Sequence, residues 1–440
     1  MALHVMEEAN RCLGCKKPRC QEGCPIHTNI PEVIRLLKAG KLNEAGWMLF
    51  ENNPLTTVCS LVCNHENQCE RHCVRGIKGA PVHFSVIENY ISTTYANQMV
   101  KGPAPSNGRM AAVIGAGPAG ITIAIILARY GYQVTIFDGR DKIGGVMRYG
   151  IPDFRLPDAV LDDLAYRHLE LKGIRFRPNT YIGNTLTIDD LFRDGYQSVF
   201  VGAGLWRPNR LHIRGESLGH VCYAINYLAN PDAFRLGERV IVIGVGNSAM
   251  DCARTAVRKG ARQVTCFARH DEINASQYES SYARLEGVEF VLRRTPVEIR
   301  PDGVVFVENR KGEDGAWEAI PGSERLYPCD GVIIAVSQGA ESNLIETTRG
   351  IDTDRRGLLS VDSDGHTSRP GVFAAGDAAT GARTVVEAVA NGKRVAEAMH
   401  QYMQSLPMPA GTAYPNVPVE EPAVAAAQAE QIRFPQEPGK

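Results

Sequence analysis

Residues 111–120 read AAVIGAGPAG, and residues 239–250 read RVIVIGVGNSAM. Each opens on a short apolar, β-branched run, turns on glycines and continues into a helical pattern, the sequence form of a strand, a tight turn and a helix. In the first stretch Gly115 permits the turn, Gly117 lets the backbone approach a pyrophosphate, and Gly120 lets helix and strand pack closely. The helix start then offers N–H donors to the phosphates. The next strand, QVTIFD, ends at Asp138, 18 residues beyond Gly120, where a carboxylate accepts hydrogen bonds from a ribose. Strand, glycines, helix, second strand and terminal acid stand in register, which a chance Gly-rich loop does not provide.

The second stretch repeats the plan with Gly244, Gly246, Asn247 and Ser248, and Ala249 stands where the third glycine belongs. Its following strand, QVTCFAR, does not end in an acid. It reaches Arg269-His270, and a cation there suits the 2′-phosphate of NADP, whereas a carboxylate suits NAD. NADPH is favoured, and NADH stays open because one arginine beside a histidine is a thinner clamp than two arginines. Two such units predict an α/β chain with two Rossmann-like dinucleotide-binding domains.

Working outward, residues 1–100 are Cys-rich with helical spacing, as in IPEVIRLLKAGKLNEAGWMLF, and predict a small helical domain. KGPAPSNG at 101–108 reads as a linker. The first dinucleotide domain is expected at 109–230 plus 336–405, with the second, NAD(P)-type domain inserted at 231–335. Residues 406–440 are rich in Pro, Ala and Glu with little apolar periodicity, and predict a flexible tail.

The chain of 440 residues, at about 150 per domain, allows two or three domains. With 48 Lys plus Arg against 49 Asp plus Glu, the net charge of -1 offers no general field for nucleic acid or anionic membrane. No apolar run approaches the roughly 20 residues of a membrane span, and the N-terminus lacks a signal-peptide layout. A cytoplasmic protein is expected, and in that reducing compartment its twelve cysteines point to metal or redox chemistry.

Eight of the twelve lie between Cys12 and Cys73. They form Cys12-x2-Cys15-x4-Cys20-x3-Cys24-Pro25 and Cys59-x3-Cys63-x5-Cys69-x3-Cys73. Spacing admits two iron–sulfur centres or a pair of four-cysteine zinc sites. A redox cofactor in the neighbouring dinucleotide site would favour the first, since zinc carries no electrons. Cys222, Cys252, Cys266 and Cys329 are single, in apolar surroundings, and read as core residues.

Ile143-Gly144-Gly145, Tyr149-Gly150-Ile151-Pro152 and Gly371-Val372-Phe373-Ala374-Ala375-Gly376-Asp377 resemble the flavin-contacting segments of the two-dinucleotide-domain flavoprotein reductases. That resemblance implies FAD at the first site, with Asp377 at its ribityl–diphosphate region. It also aims the helix beginning near Thr384 at the ring.

With RCLGCKKPRCQEGCPIH, LVCNHENQCERHC and GNSAMDCAR in order, residues 8–403 resemble the small (β) subunit of glutamate synthase. They equally resemble the matching N-terminal part of dihydropyrimidine dehydrogenase and the flavoprotein subunit of its bacterial counterpart. The resemblance implies two [4Fe–4S] clusters, one held by Cys12, Cys15 and Cys20 with Glu88, the other by Cys24, Cys63, Cys69 and Cys73. Cys59 is left as a buried thiol. His270, Ala275-Ser276, Ser337 and Asp138 depart from the family's usual Arg, Met-Pro, Gly and Glu. The activity implied is hydride from NAD(P)H to FAD, then single electrons through the clusters to a catalytic partner subunit in a hetero-oligomer, or to ferredoxin. A reading from another class is a zinc-stabilised protein that senses NAD(P)H.

Overall fold

The buried run Met110–Ile114 forms the middle of a five-stranded sheet, flanked by Ser198–Val201 and Val372–Ala374 on one side and by Gln133–Phe137 and Arg175–Arg177 on the other. Every pairing is parallel. Near-continuous apolar strands are what a sheet covered on both faces requires. The helix Pro118–Arg129 lies against the long helix Val385–Ser405, and both supply side chains to the core beside this sheet. The computed structural model describes residues 2–96, 104–169, 173–183, 185–313 and 315–408.

A second parallel sheet runs Val221–Tyr223, Gly331–Ile334, Arg239–Ile243, Gln263–Phe267, Glu289–Val291. Between its last two strands in sequence the chain makes an antiparallel excursion through Arg294–Arg300, Gly303–Lys311, Trp317–Ala319 and Arg325–Pro328. The chain leaves the first domain through Arg207–Pro208 and returns through Gln338–Gly339, and these segments pair antiparallel. The architecture is therefore α/β, with one dinucleotide domain inserted in the other. Ser337, beside the return strand, sits at φ 75, a left-handed conformation that favours glycine.

The inserted unit begins earlier than the boundary expected at 231. Val221–Tyr223 pairs with Gly331–Ile334, and Cys222, Ala224 and Tyr227 share a core with Val242 and Met250. Three-residue strands carry too little pattern to be read from sequence, and only pairing reveals this one.

The N-terminal region folds as helices Ala2–Asn10, Ile30–Lys38, Leu42–Asn52, Thr56–Val62 and Phe84–Ala96, and its long connections 11–29 and 63–83 hold the short helical turns Arg19–Glu22 and Val74–Ile77. Gly40, at φ 73, breaks the long helical stretch in two. Ile30, Val33, Ile34 and Leu37 face inward at helical spacing, onto Leu49, Ile87 and Ile91. At about 1.5–3 kcal/mol for each fully buried aliphatic side chain, this small core is a main source of the domain's stability. The domain is not freestanding, because Phe50, Leu55, Val58 and Cys59 belong to the same core as Ile121 and Leu161 of the first dinucleotide domain.

Of the expected linker, residues 104–108 are described. Asn107 N donates to Gly131 O at 2.9 Å, which fastens the segment to the first domain. Residues 101–103 lie outside the described residues, as do 409–440 of the expected tail. The start of that tail is held, since Arg109 Nη2 donates to Leu406 O at 2.8 Å.

The two dinucleotide domains are clamped by the loop after Gly150. Arg155 Nη1 donates to both oxygens of the buried Asp251 at 2.8 Å, while Arg155 Nε lies 2.8 Å from Glu279. Phe154 stacks under Arg254 and Arg258 of the inserted domain. Burial pushes the Asp251 carboxyl up to about 6, with Arg155 pulling it back. Arg155→Ala would strand a buried carboxylate, at an expected cost of about 3 kcal/mol. A lowered urea midpoint, with partial recovery in Arg155→Lys, is the measurement that checks it.

Candidate functional site

In the first glycine loop the three glycines are required for different reasons. A Cβ at Gly115, which sits at φ 98, would stand 2.3 Å from Gly202 O, and one at Gly120 would stand 2.0 Å from Gly115 O. These two are demanded by the fold. A Cβ at Gly117 meets nothing within 4 Å, so the protein leaves open space there, at the start of the helix Pro118–Arg129. That hollow is lined by Gly115, Gly117, Asp138, Gly145, Gly376, Asp377 and Thr384. Gly144 N donates to Ala116 O at 2.8 Å, which brings the Gly144-Gly145 turn against the loop.

Asp138 plays a part that sequence did not show. Its two oxygens accept from Ala116 N at 2.6 Å and Arg140 N at 2.8 Å, so it ties the second strand's end to the glycine loop. Burial raises its carboxyl, and those two backbone donors oppose the rise. Asp377 is pushed up to about 6 by burial, against one hydrogen bond from Arg383 N. Thr384 is the N-cap of Val385–Ser405, in a reciprocal capping box with Glu387. Leu205 and Trp206 also line the hollow, with Arg140 stacked 4.9 Å from the Trp206 ring. The signal for them was the glycine-rich VGAGLW after the strand Ser198–Val201.

The second loop repeats the logic. A Cβ at Gly244 would stand 2.3 Å from Ala335 O, whereas one at Gly246 meets nothing within 4 Å. Asn247 Oδ1 accepts from Ser276 N at 2.9 Å and so holds the 274–276 loop beside the nucleotide turn. Arg269 and His270 lie on the same cleft as Gly246 and Ser248, and Arg269 Nε donates to His270 Nε2 at 3.0 Å. Arg294 joins them from a strand that sequence reading did not connect with this site. Open glycine backbone, helix starts and cations fit two dinucleotides, one in each hollow.

Five of the cysteines converge: Cys12, Cys15, Cys20, Cys69 and Cys73 line one apolar hollow, with Ile30, Ile34, Val82 and Phe84. Glu88 is not among them. Its negative charge acts on Cys63 and Cys69, and Cys24 acts on Cys69. Cys73 thus lies with Cys12, Cys15 and Cys20, while Cys69 borders that hollow and also feels the charges of Cys24 and Glu88. Glu88 is buried, accepts from Thr56 Oγ1 at 2.8 Å and lies 3.7 Å from His65 Nε2.

Burial holds Cys20 up to about 11, and Cys69 well above the ordinary thiol range. Cys63 is raised too, by its hydrogen bond with Cys59 and by burial. Thiols so placed ionise on binding metal. Among the described residues no three His, Cys, Asp or Glu side chains close on a single ion. Cys222, Cys252, Cys266 and Cys329 are buried free thiols, so the inserted domain holds no disulfide among the described residues.

Residues 109–392 match the family described as pyridine nucleotide-disulphide oxidoreductase, and residues 2–100 match dihydropyrimidine dehydrogenase domain II, 4Fe-4S cluster. The chain is 34% identical over 435 residues to the glutamate synthase [NADPH] small chain of Escherichia coli (strain K12), covering 90% of this chain and 91% of that one. It is 33% identical over 412 residues to the NAD-dependent dihydropyrimidine dehydrogenase subunit PreT of the same organism, covering 92% and 95%. Mycobacterium tuberculosis FprA, solved in complex with NADPH, shares the fold at TM-score 0.58 and 17% identity, over 68% of this chain and 85% of that one. With two glycine-lined hollows on two parallel sheets and a cysteine-bearing helical domain in front, the chain belongs to the pyridine nucleotide-disulphide oxidoreductase family, in its branch with an N-terminal 4Fe-4S domain.

Proposed function

We propose that this chain is the electron-input subunit of an oxidoreductase, taking reducing equivalents from NADPH and delivering single electrons to a catalytic partner. One observation carries the reading: a single cleft is bordered by Gly244, Gly246 and Ser248 of the inserted domain, Thr384 and Val385 of the FAD domain, and Cys63 and His65 of the helical domain. When bound, FAD accepts hydride and gives up single electrons, and two [4Fe–4S] centres carry them.

The protein's own part is binding and shielding. Gly115, Gly117, Gly120, Gly144, Gly145, Gly376 and Asp377 would hold FAD, with Thr384 capping the helix behind it. Gly244, Gly246, Asn247, Ser248, Arg269 and His270 would hold the nicotinamide nucleotide. Cys12, Cys15, Cys20 and Cys73 would hold one centre, and Cys24, Cys63, Cys69 and Glu88 the other. No side chain is assigned as acid or base.

Arg269-His270 favours NADPH, and the relative named for NADPH agrees, while the NAD-dependent relative keeps NADH as the second choice. Those two relatives are named as a small chain and a subunit, which supports a hetero-oligomer with a catalytic partner first and ferredoxin second. No helix among the described residues is long and apolar enough to cross a membrane. A reducing cytoplasm suits free thiols. Anaerobic titration with NADPH, followed by electron paramagnetic resonance, tests the reading. Flavin bleaching without any reduced iron–sulfur signal, in iron-replete protein, would end it.

Asp377 supplies a pH test of the FAD assignment. Its carboxyl stands at about 6 without ligand, and a diphosphate against it would raise it further. FAD binding then takes up a proton above pH 6, so affinity falls as pH rises from 6 toward 8, by at most about tenfold per unit. Asp377→Asn stays neutral, and its affinity, read by flavin fluorescence on the apoprotein, is expected to be flat over that range.

A further inference from the structure

The hollow that holds Cys12, Cys15, Cys20 and Cys73 is bordered by Leu13, Cys15 and Arg19 of the segment 13–19 and by Cys73, Val74 and Arg75 of the segment 71–78, which it brings side by side. Leu13 is 63% exposed and Ile77 64% exposed, among the most exposed large apolar side chains of the described residues. Around them Lys16, Lys17, Arg19, Arg71, Arg75 and Lys78 are all exposed, and neither segment contains an acid. None of the six has an ion pair among the described residues. Two of the nearby carboxylates are turned inward: Glu8 accepts from Arg11 and His83 N, and Glu70 accepts from Ser85 and lies 3.1 Å from His83, while Glu22, in the same short helix as Arg19, is exposed but pairs with none of the six.

The rest of the chain has the opposite balance. With these six set aside, the remaining 42 of 48 cations face 49 acids. Six unpaired cations around two exposed apolar side chains are thus a local feature and not the chain's average. Cations kept apart from acids in this way steer an oppositely charged surface, and a small apolar centre within a charged rim is how a transient interface is built. The two segments contain no Phe, Tyr or Trp on which a base would stack, which favours a protein over a nucleic acid.

We propose that this face docks a protein with an acidic surface, received beside the cysteine hollow. The inference rests on the proposed function for its purpose, electron delivery, but its geometry is independent of it. Its ionic character predicts strong weakening by salt.

An acidic [2Fe–2S] ferredoxin serves as the probe. The variant joins Lys16→Glu, Lys17→Glu, Arg71→Glu and Lys78→Glu, all exposed and none lining the hollow. Biolayer interferometry with the cofactor-loaded chain is expected to show wild-type binding that weakens at least tenfold between low and moderate salt. The variant should lose at least thirtyfold at low salt. Iron content and NADPH bleaching of its flavin should be unchanged, and a second variant with Lys16→Arg, Lys17→Arg, Arg71→Lys and Lys78→Arg should bind like wild type.

Absent or salt-insensitive wild-type binding, equal binding by the reversed variant, or equally tight binding of a single-stranded oligonucleotide would each overturn the proposal. The two readings fail separately. Charge-dependent docking by a protein whose iron–sulfur signal never appears with NADPH would sink the function and leave the surface. A normal signal with charge-independent docking would do the reverse.

Discussion

Gly246→Trp is expected to abolish reduction by NADPH while FAD remains bound. A Cβ at Gly246 meets nothing within 4 Å, so a side chain can be attached there without straining the loop at its first atom. The indole would fill the space where the second glycine of such a loop lets a pyrophosphate approach. Losing that approach should weaken the nucleotide's hold by ~4 kcal/mol, about a thousandfold. Anaerobic stopped-flow bleaching reads the rate, and the unchanged flavin spectrum and melting temperature read the fold. Gly244→Ala is the contrast, because its Cβ would stand 2.3 Å from Ala335 O and must damage the loop itself. Rapid bleaching in Gly246→Trp would mean that the nucleotide binds elsewhere.

The second large effect concerns the cysteines. Cys73→Ala and Cys12→Ala are expected to produce the same defect, loss of one centre of roughly four irons and its paramagnetic signal. Cys63→Ala should remove the other signal, and Glu88→Ala should alter that same one. The grouping follows from the hollow that Cys73 shares with Cys12, Cys15 and Cys20, and from the charge of Glu88 on Cys63 and Cys69. A Cys73→Ala spectrum matching Cys63→Ala would restore the pairing that resemblance alone suggested. Iron assay and electron paramagnetic resonance on anaerobic protein decide between them.

Cys73 and Glu88 show where reading a sequence stops. Cys73 stood out by its spacing, and Glu88 only through the resemblance. A chain of closely spaced cysteines does not say which hollow each side chain enters, and only the fold puts Cys73 beside Cys12. Asp138 shows a milder version: its place at a strand end was legible, but its hydrogen bonds to Ala116 N and Arg140 N were not. Arg294 was missed because it belongs to no contiguous motif and packing alone brings it to the second hollow, whereas Trp206 closes a glycine-rich run that went unread.

What the sequence determined by itself is everything that about thirty consecutive residues can encode. Glycines at 115, 117 and 120, or at 244 and 246, dictate a turn through backbone sterics, and the apolar runs on either side dictate strand and helix through period. These are local constraints, and they gave both dinucleotide folds and the helical domain before them. The tertiary structure decided what depends on distant segments meeting: the strand at 221 that joins the second sheet, the Arg155–Asp251 clamp, the hollow that Cys73 shares with Cys12, and the unpaired cations at 13–19 and 71–78. The energy of those contacts comes from burial and charge pairing across long chain separations, which no local pattern records.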